Sequence, residues 1–338
     1  MKADTITKAY VQDPSIFADI FNYYVYEGRQ VIKPEHLIER DSTKIALPYG
    51  ADGASVPVQK FRDVQKLYAA MTDGKMQYVL YGVENQSEIH YAMAVKNNLY
   101  DALEYADQVE EAAKSHRKER KQKKEVSEIA EKKEKKVPST GEFLSGFWKQ
   151  DKLIPSITVT IFFGSEKWDG PLSLFDMIEI SDPKLLACID NYHVRLIAPA
   201  HMADEEIMKF QSSLREVLFF IKYSKDRKNL ERILKSNEKR FQEMERRAAE
   251  VIEAITNSGI KYKENEEMID MCQAIQEIRM EAQKEGEQRG EQRGEQKGEL
   301  KKARESAKKL YAMGFDIKKI AQVVDYSIET VKEWIELE

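Results

Sequence analysis

Strand-forming sequence lies on both sides of a segment that cannot contribute to a hydrophobic core. The apolar run from Tyr78 to Val83 precedes this segment, and the run from Ile157 to Phe163 follows it. Residues 111–136, in between, hold eleven Lys or Arg and six Glu, with little that is apolar. One sheet completed by both halves would bury the two runs together, so we expect one α/β domain with a charged insertion at residues 111–142.

Several neighbouring patterns indicate further elements of this domain. Asp13-Pro14 precedes apolar residues at helical spacing, which is typical of a helix that begins with proline. Helical spacing also predicts helices from Ile89 to Val109 and from Met208 to Ile221, and strands are expected from Lys44 to Leu47 and from Val56 to Val64. The charged segment itself is a solvated spacer, an extension of the preceding helix or a contact for the DNA backbone.

The composition excludes several classes of protein. The two cysteines, Cys188 and Cys272, lie far apart without the spacing of a zinc site, so a disulfide framework is not expected. No apolar stretch approaches eighteen residues and no secretory leader is recognisable, so we expect a cytoplasmic protein without a membrane partner. The net charge of −5 leaves DNA binding to local basic clusters.

The remainder of the chain looks helical. Residues 236–300 are expected to form a connector in which Gly286, Gly290, Gly294 and Gly298 recur every four residues along one side of a helix. This connector is either a solvated helix or one member of a closely packed pair. Residues 301–338 predict a small helix-turn-helix-like unit whose acidic last helix leaves DNA reading and protein contact both open.

Acidic side chains follow two of the predicted strands. Asp63 ends the run VPVQKFRD, and Glu84 ends YVLYGVE, with Gln86 on the same strand face as Glu84. Hydrolysis of a phosphodiester needs a divalent cation, and Mg²⁺ takes carboxylate and water oxygens as ligands. Acids at adjacent strand ends are therefore candidate ligands, although a solvated strand end would look the same.

Four ordered segments carry a resemblance to a known family. RDV at 62–64, GVENQ at 82–86, YAMAVKNNLYDALEY at 91–105 and PSITVTIFFGSEKWDGPLSL at 155–174 are similar to the recombination-promoting nucleases associated with transposases. This YhgA-like family is a branch of the PD-(D/E)XK nuclease superfamily. The resemblance covers most of the chain outside the charged insertion.

The resemblance implies a restriction-endonuclease-like αβββαβ core with a helical C-terminal extension, spanning residues 1–235. It implies that Asp63 and Glu84 bind Mg²⁺ or Mn²⁺, and that Gln86 occupies the position of the usual catalytic lysine. Lys96 would then supply the missing positive charge, with Lys66 as a weaker candidate. Asp19 is the first choice for a further acidic ligand on the first helix, followed by Glu27, and either could equally be an ordinary helix residue.

Three functions remain open at this stage. The first is a metal-dependent DNA endonuclease that acts in recombination or transposition of mobile DNA, for which paired cuts in a duplex would favour a homodimer. The second is an inactive DNA-binding or assembly protein derived from such a nuclease, which Gln86 and the acidic net charge favour. The third is a helical scaffold formed by residues 236–338. A ribonuclease-H-like transposase fits less well, because Asp63 and Glu84 form a closely spaced pair.

Overall fold

A computed structural model of the protein describes residues 2–40, 43–46, 58–61, 63–72, 75–126, 138–180, 182–261, 263 and 265–336. Contacts divide the chain into two compact units, Met1–Cys272 and Gln273–Glu338. Within the described ranges, no helix combines the length and the apolar character needed to cross a membrane.

The strands of the first unit form one main sheet and two small ones. The strands are β1 (Leu37–Glu39), β2 (Thr43–Ala46), β3 (Val58–Phe61), β4 (Val64–Thr72), β5 (Lys75–Gln86), β6 (Ser156–Phe162), β7 (Leu196–Ile197), β8 (Met244–Glu245) and β9 (Met268–Ile269). The main sheet has the order β1-β4-β5-β6-β7. Its first three strands pair antiparallel, and β5, β6 and β7 pair parallel. The pairs β2–β3 and β8–β9 are separate antiparallel ribbons.

Helices cover the sheet and complete the chain. They are α1 (Lys2–Val11), α2 (Pro14–Tyr26), α3 (Met93–Val126), α4 (Thr140–Ser145), α5 (Pro183–Leu186), α6 (Asp204–Ile207), α7 (Leu214–Tyr223), α8 (Arg227–Ser236), α9 (Glu238–Gln242), α10 (Arg246–Thr256), α11 (Met271–Ala312), α12 (Ile317–Val324) and α13 (Ile328–Glu336). Short 3-10 turns occupy Pro34–His36, Phe175–Met177 and Pro199–His201.

The two faces of the main sheet differ in chemistry. On one face Tyr81 packs against Phe21 of α2, with ring centroids 4.2 Å apart, and both rings are buried. On the other face, α3 meets the sheet through polar side chains. Asp101 accepts hydrogen bonds from the hydroxyls of Ser156 and Thr158 on β6, at 2.9 and 2.7 Å. Paired polar groups of this kind fix the position of α3 on the sheet, because each would be costly to leave unsatisfied.

The α/β class expected from the sequence is confirmed, and so are its main elements. Asp13 caps α2 by accepting a hydrogen bond from the Ser15 N–H, with Pro14 in the first turn. The runs at 78–83 and 157–163 lie within β5 and β6 or directly beside them. The predicted helix at 89–109 begins and ends later than expected, since α3 runs from Met93 to Val126. The helix predicted at 208–221 begins only at Leu214, as α7. Parts of the predicted strands, at 47–57 and residue 62, lie outside the described residues, as does 127–137.

The first unit extends past residue 235, where the sequence analysis placed a boundary. Helix α10 packs on α1 and α7, and its Ala248, Val251 and Ile252 are fully buried. Residues up to Cys272 therefore share the core of the sheet domain, because the apolar face of α10 has to be covered by that core.

The second unit contains the glycine repeat and the short C-terminal helices. All four repeat glycines lie within the 42-residue α11. Gly314, with a φ of +84°, follows the end of that helix, where glycine tolerates the left-handed backbone. Ala307, Ile320, Val331 and Trp334 pack together as a small core. The Ser327 hydroxyl accepts a hydrogen bond from the Thr330 N–H and so caps α13.

Candidate metal site at the end of strands β4 and β5

The pairing of β4 with β5 brings Asp63 next to Glu84. Val64 is opposite Val83 in the antiparallel register, so Asp63, one residue before β4, is next to the last part of β5. The Asp63 Oδ2 accepts a hydrogen bond of 3.0 Å from the Asn85 N–H, which holds its carboxylate at that edge. The structure therefore brings together the two acids that the sequence proposed as a pair.

Glu84 is a buried carboxylate that faces α3. Its side chain is 1% exposed, and its Oε2 lies 2.8 Å from the Lys96 Nζ. Burial by itself lowers the pKa of Lys96, but the adjacent Glu84 carboxylate raises it by more, so the net pKa lies above its usual 10.5. Lys96 is therefore an ammonium group at neutral pH, and it offsets the cost of burying the Glu84 charge.

The turn of α3 that carries Lys96 is fixed by its neighbour. Asn97 donates a buried hydrogen bond of 2.9 Å to the Thr160 hydroxyl. Thr160 lies directly opposite Glu84 in the parallel register of β5 and β6. This bond holds the first turns of α3 against the strand next to Glu84, so that Lys96 is positioned by the backbone as well as by charge.

An open cavity of about 370 Å³ lies at this edge of the sheet. Its lining includes Asp63, Gln86 and Lys96, three of the residues proposed from the sequence. It also contains Asp4 from α1, which accepts a hydrogen bond of 2.8 Å from the Ser87 hydroxyl. A second, larger cavity of about 820 Å³ shares Ser87 and Glu88 with the first, so space for an extended ligand adjoins the acids.

Helix α1 contributes two charged side chains that the sequence analysis missed. Asp4 lines the cavity, and the Lys8 Nζ lies 4.0 Å from the Asp63 Oδ1. The i, i+4 spacing of Asp4 and Lys8 was a visible signal, since it places both on one helix face. Their position beside Asp63 depends on how α1 packs on β5, which no local pattern reveals.

Gln86 lies where the family pattern expects a lysine, but its amide is turned toward its own strand. Its Nε2 donates a 2.6 Å hydrogen bond to the Asn85 carbonyl, and the side chain is half-buried at the cavity. An amide can orient a water molecule but cannot accept a proton near neutral pH. The ammonium group of Lys96 is the cation that the cavity offers close to Glu84.

Asp19 lies in a different environment from the one expected of a metal ligand. Its buried Oδ2 accepts three hydrogen bonds, from the Gln211 N–H, the Ser212 N–H and the Ser212 hydroxyl, at 2.6 to 2.9 Å. Asp19 is not among the described residues that line the cavity. The structure gives Asp19 a structural task, the anchoring of the turn before α7, because these backbone donors need an acceptor.

The other weaker candidates also lie elsewhere. Lys66 points to the opposite sheet face, where its Nζ donates to the Gln12 carbonyl at 2.8 Å. Glu27 ends α2 with a φ of +56° and is exposed.

Two aromatic residues of the same region have different surroundings. Trp168 is buried against Phe162, and its indole N–H donates a hydrogen bond to the Gly170 carbonyl. Tyr100 stays near the site, with its ring 5.9 Å from the Lys96 Nζ.

The donor set at this edge fits a hard divalent cation that keeps several waters. Asp63 and Glu84 supply carboxylate oxygens, and Mg²⁺ commonly binds through only one or two carboxylates. Within the described ranges no group of three or more His, Cys, Asp or Glu side chains is arranged to hold a metal. Zinc prefers nitrogen and sulfur ligands in closed sites, whereas Mg²⁺ takes carboxylate oxygens such as those of Asp63 and Glu84.

Comparison with known proteins gives one short match. A family model described as "Putative ATPase subunit of terminase (gpP-like)" matches residues 302–338, within the second unit. No curated protein matches the chain, and no solved structure matches it. The matched segment is a small part of the chain, so the match describes a likeness of the C-terminal helices and is silent on the sheet domain.

Proposed function

We propose that this protein is a metal-dependent DNA endonuclease that hydrolyses phosphodiester bonds during recombination or transposition of mobile DNA. The observation that carries the proposal is the side-by-side position of Asp63 and Glu84 at the open edge of the sheet, with Lys96 against Glu84. The partly exposed Asp63 lines the cavity, whereas the buried Glu84 lies beside it and is not among the described residues that form the lining. A buried carboxylate next to a partly exposed one is costly for stability and suited to binding a cation.

The order of elements supports the same proposal. Helices α1 and α2 precede antiparallel strands β1, β4 and β5, and α3 then crosses to the parallel strand β6. This order agrees with the αβββαβ core that the resemblance implies, with β2 and β3 added as a separate ribbon. The acids lie before the second strand of that core and at the end of the third.

Each residue has a task in the proposed reaction. Asp63 and Glu84 would hold Mg²⁺ or Mn²⁺, which when bound neutralises the scissile phosphate and lowers the pKa of a water molecule. Lys96 keeps a positive charge beside Glu84 and is within reach of a phosphate oxygen in the cavity. Gln86 would orient the attacking water through its amide once its bond to the Asn85 carbonyl is exchanged.

An inactive DNA-binding or assembly protein is the second candidate. Two observations favour it, namely Gln86 in place of a lysine and the nearness of Lys8 and Lys96 to the two acids. The terminase-like segment adds no ATPase proposal, because residues 302–338 contain no Gly-x-x-x-x-Gly-Lys phosphate-binding sequence.

A metal titration separates the two candidates. We expect Mn²⁺ to bind the wild-type protein in calorimetry, and we expect Asp63→Asn and Glu84→Gln to weaken binding at least about tenfold. Asp176→Asn, a change to a carboxylate that caps a turn elsewhere, is the matched control. Equal Mn²⁺ binding by all four proteins would remove the site, and metal binding without cleavage of duplex DNA would favour the inactive protein.

A further inference from the structure

The second half of α3 presents four basic residues on one helix face. Lys114, Arg117, Lys118 and Lys121 have i, i+3, i+4 and i+7 spacing, which places them side by side, and all four are exposed. Lys114 forms an i, i+4 pair with Glu110 at 2.8 Å. We call these four residues the basic face.

Another side of the same helix segment is packed against the protein. The His116 ring stacks on Trp148 with centroids 3.8 Å apart, and its Nε2 lies 2.8 Å from the Asp151 carboxylate. The Arg120 guanidinium lies over the Phe143 ring at 5.2 Å. Segment 138–154 therefore packs against the extension of α3 and holds the basic face in place. Because folding already orders this part of the helix, ligand binding does not have to order it.

The helix links this face to the candidate metal site. Lys96 and Lys118 lie on the same α3, and 22 residues of helix span about 33 Å. One turn of duplex DNA has about the same length, 34 Å. A duplex cleaved beside Lys96 and running along α3 would therefore meet the basic face about one helical turn from the scissile phosphate.

We propose that the basic face of α3 binds the phosphate backbone of duplex DNA, about one helical turn from the bond that the metal site cleaves. The position rests on the proposed nuclease function, whereas the binding itself does not. These four cationic side chains, one of which also pairs with Glu110, concentrate positive charge on a chain whose net charge is −5, and a polyphosphate complements that charge.

An anionic lipid surface is the competing partner, because Phe143 and Leu144 are exposed next to Arg120. Helices that lie in a membrane interface carry an extended apolar face beside their basic one. On α3 the corresponding side holds Ala113, His116 and Arg120, which are packed against segment 138–154. The structure therefore favours the nucleic acid.

The test is a pair of four-residue variants with equal loss of charge. The first carries Lys114→Gln, Arg117→Gln, Lys118→Gln and Lys121→Gln, since glutamine preserves helix propensity. The matched control carries Lys184→Gln, Lys228→Gln, Lys235→Gln and Lys239→Gln, four exposed positions on α5, α8 and α9. Binding to a labelled duplex of about three helical turns is measured by anisotropy in EDTA, between about 50 and 200 mM salt.

We expect the basic-face variant to bind DNA at least about tenfold more weakly, with the slope of log affinity against log salt reduced by about 3 to 4. The control is expected to keep the wild-type slope. Equal weakening of both variants, unchanged binding by the first, or no binding by the wild-type protein would overturn the proposal. Loss of binding to phosphatidylserine vesicles in the first variant, with DNA binding intact, would assign the face to lipid instead.

The same proteins distinguish this proposal from the nuclease function. Hydrolysis of bis(4-nitrophenyl) phosphate with Mn²⁺ needs the metal site. This substrate is too small to contact the basic face at the same time. If wild-type protein binds DNA through the basic face but hydrolyses neither substrate, the nuclease proposal fails and the binding proposal stands. If DNA is cleaved by the metal site while the basic-face variant binds as tightly as wild type, only the binding proposal fails.

Discussion

The contact between Glu84 and Lys96 affects both the stability of the fold and the proposed binding of a metal ion. Removing a carboxylate from water costs several kcal/mol, and a nearby ammonium group repays this cost only when the geometry is close. The 2.8 Å contact satisfies that condition, and the partial exposure of Lys96, at 26%, leaves its ammonium group accessible from the cavity. A cation that binds Glu84 would share this carboxylate with Lys96.

Breaking this pair is expected to destabilise the fold more than removing both of its charges. Lys96→Met leaves the Glu84 charge buried, so we expect a loss of about 2–3 kcal/mol, reduced from the fully buried case by the exposure of Lys96. The double variant Lys96→Met with Glu84→Gln should recover part of that loss. Urea unfolding of both single variants and the double variant measures the coupling, and additive losses would contradict a charge pair of this kind.

The hydrogen bonds of Asp19 predict that it contributes to the stability of the fold and does not bind metal. Asp19→Ala leaves the Gln211 and Ser212 N–H groups without their acceptor, at a cost of about 1–3 kcal/mol. We expect a lower melting temperature and unchanged Mn²⁺ affinity, measured by calorimetry below the melting transition. Loss of Mn²⁺ binding in a variant with wild-type stability would restore Asp19 as a ligand.

Sequence reasoning reached the residues whose positions follow from strand order and missed those set by packing. Asp63 and Glu84 follow adjacent apolar runs, and antiparallel pairing brings such ends together. Asp4 and Lys8 reach the same edge only because α1 packs on β5. Asp19 lies on a helix that was correctly predicted, but the segment it faces comes from almost two hundred residues later in the chain.

At the scale of elements, α3 changes character along its length. Its first turns meet the sheet through polar bonds, and its later turns pack on segment 138–154. The sequence predicted a helix for the early turns but did not determine the structure of the charged part, because exposed Lys and Glu residues are common both in helices and in disordered chains. The charged part is helical because Trp148 and Gly146, which are distant in sequence, pack against His116 and Ala113 of α3.

The close approach of α4 to α3 predicts a difference between two glycines. Gly146 has a φ of +69°, and a Cβ there would lie 2.6 Å from the Ala113 Cβ. Gly146→Ala should therefore cost about 2 kcal/mol. Gly141→Ala, in open space within α4, should be neutral or stabilising by up to about 1 kcal/mol. Urea unfolding followed by tryptophan fluorescence measures both, and equal losses would contradict this packing.

Helices α6, α7 and α8 share one carboxylate, which makes their packing sensitive to acid. Partial burial raises the pKa of Asp204, but hydrogen bonds from Lys222, Tyr223 and Arg232 outweigh it and lower the pKa to about 2. A lowered pKa stabilises the fold above the unfolded value of 3.8, and this contribution is lost as the pH falls through about 2.

We therefore expect Asp204→Asn to be less stable than wild type by about 1 kcal/mol at pH 7, after allowing for solvent screening. The difference should shrink as the pH falls from about 4 to 2. Thermal melting across that range checks this, with the exposed Asp190→Asn as the control. A difference that is constant with pH would show that Asp204 acts through packing alone.

For the whole molecule, the sheet domain depends on chain that lies far beyond its last strand. The apolar faces of α7 and α10 complete the core around α1, which in turn holds Asp4 and Lys8 beside Asp63. The fold class was predictable from alternating apolar runs, whereas the extent of this unit was not. The sequence of α10 shows an apolar face but does not show which core covers that face.

Nicking of supercoiled plasmid DNA by the purified protein with Mg²⁺ or Mn²⁺ tests the proposed nuclease function and its metal site together. The proteins to compare are wild type, Asp63→Ala, Glu84→Ala and the control Asp176→Asn, each shown to be folded by circular dichroism. We expect metal-dependent nicking by wild type and the control, with activity reduced at least about a hundredfold in the two site variants. Equal nicking by all four proteins, or none by the folded wild-type protein with either metal, would contradict it.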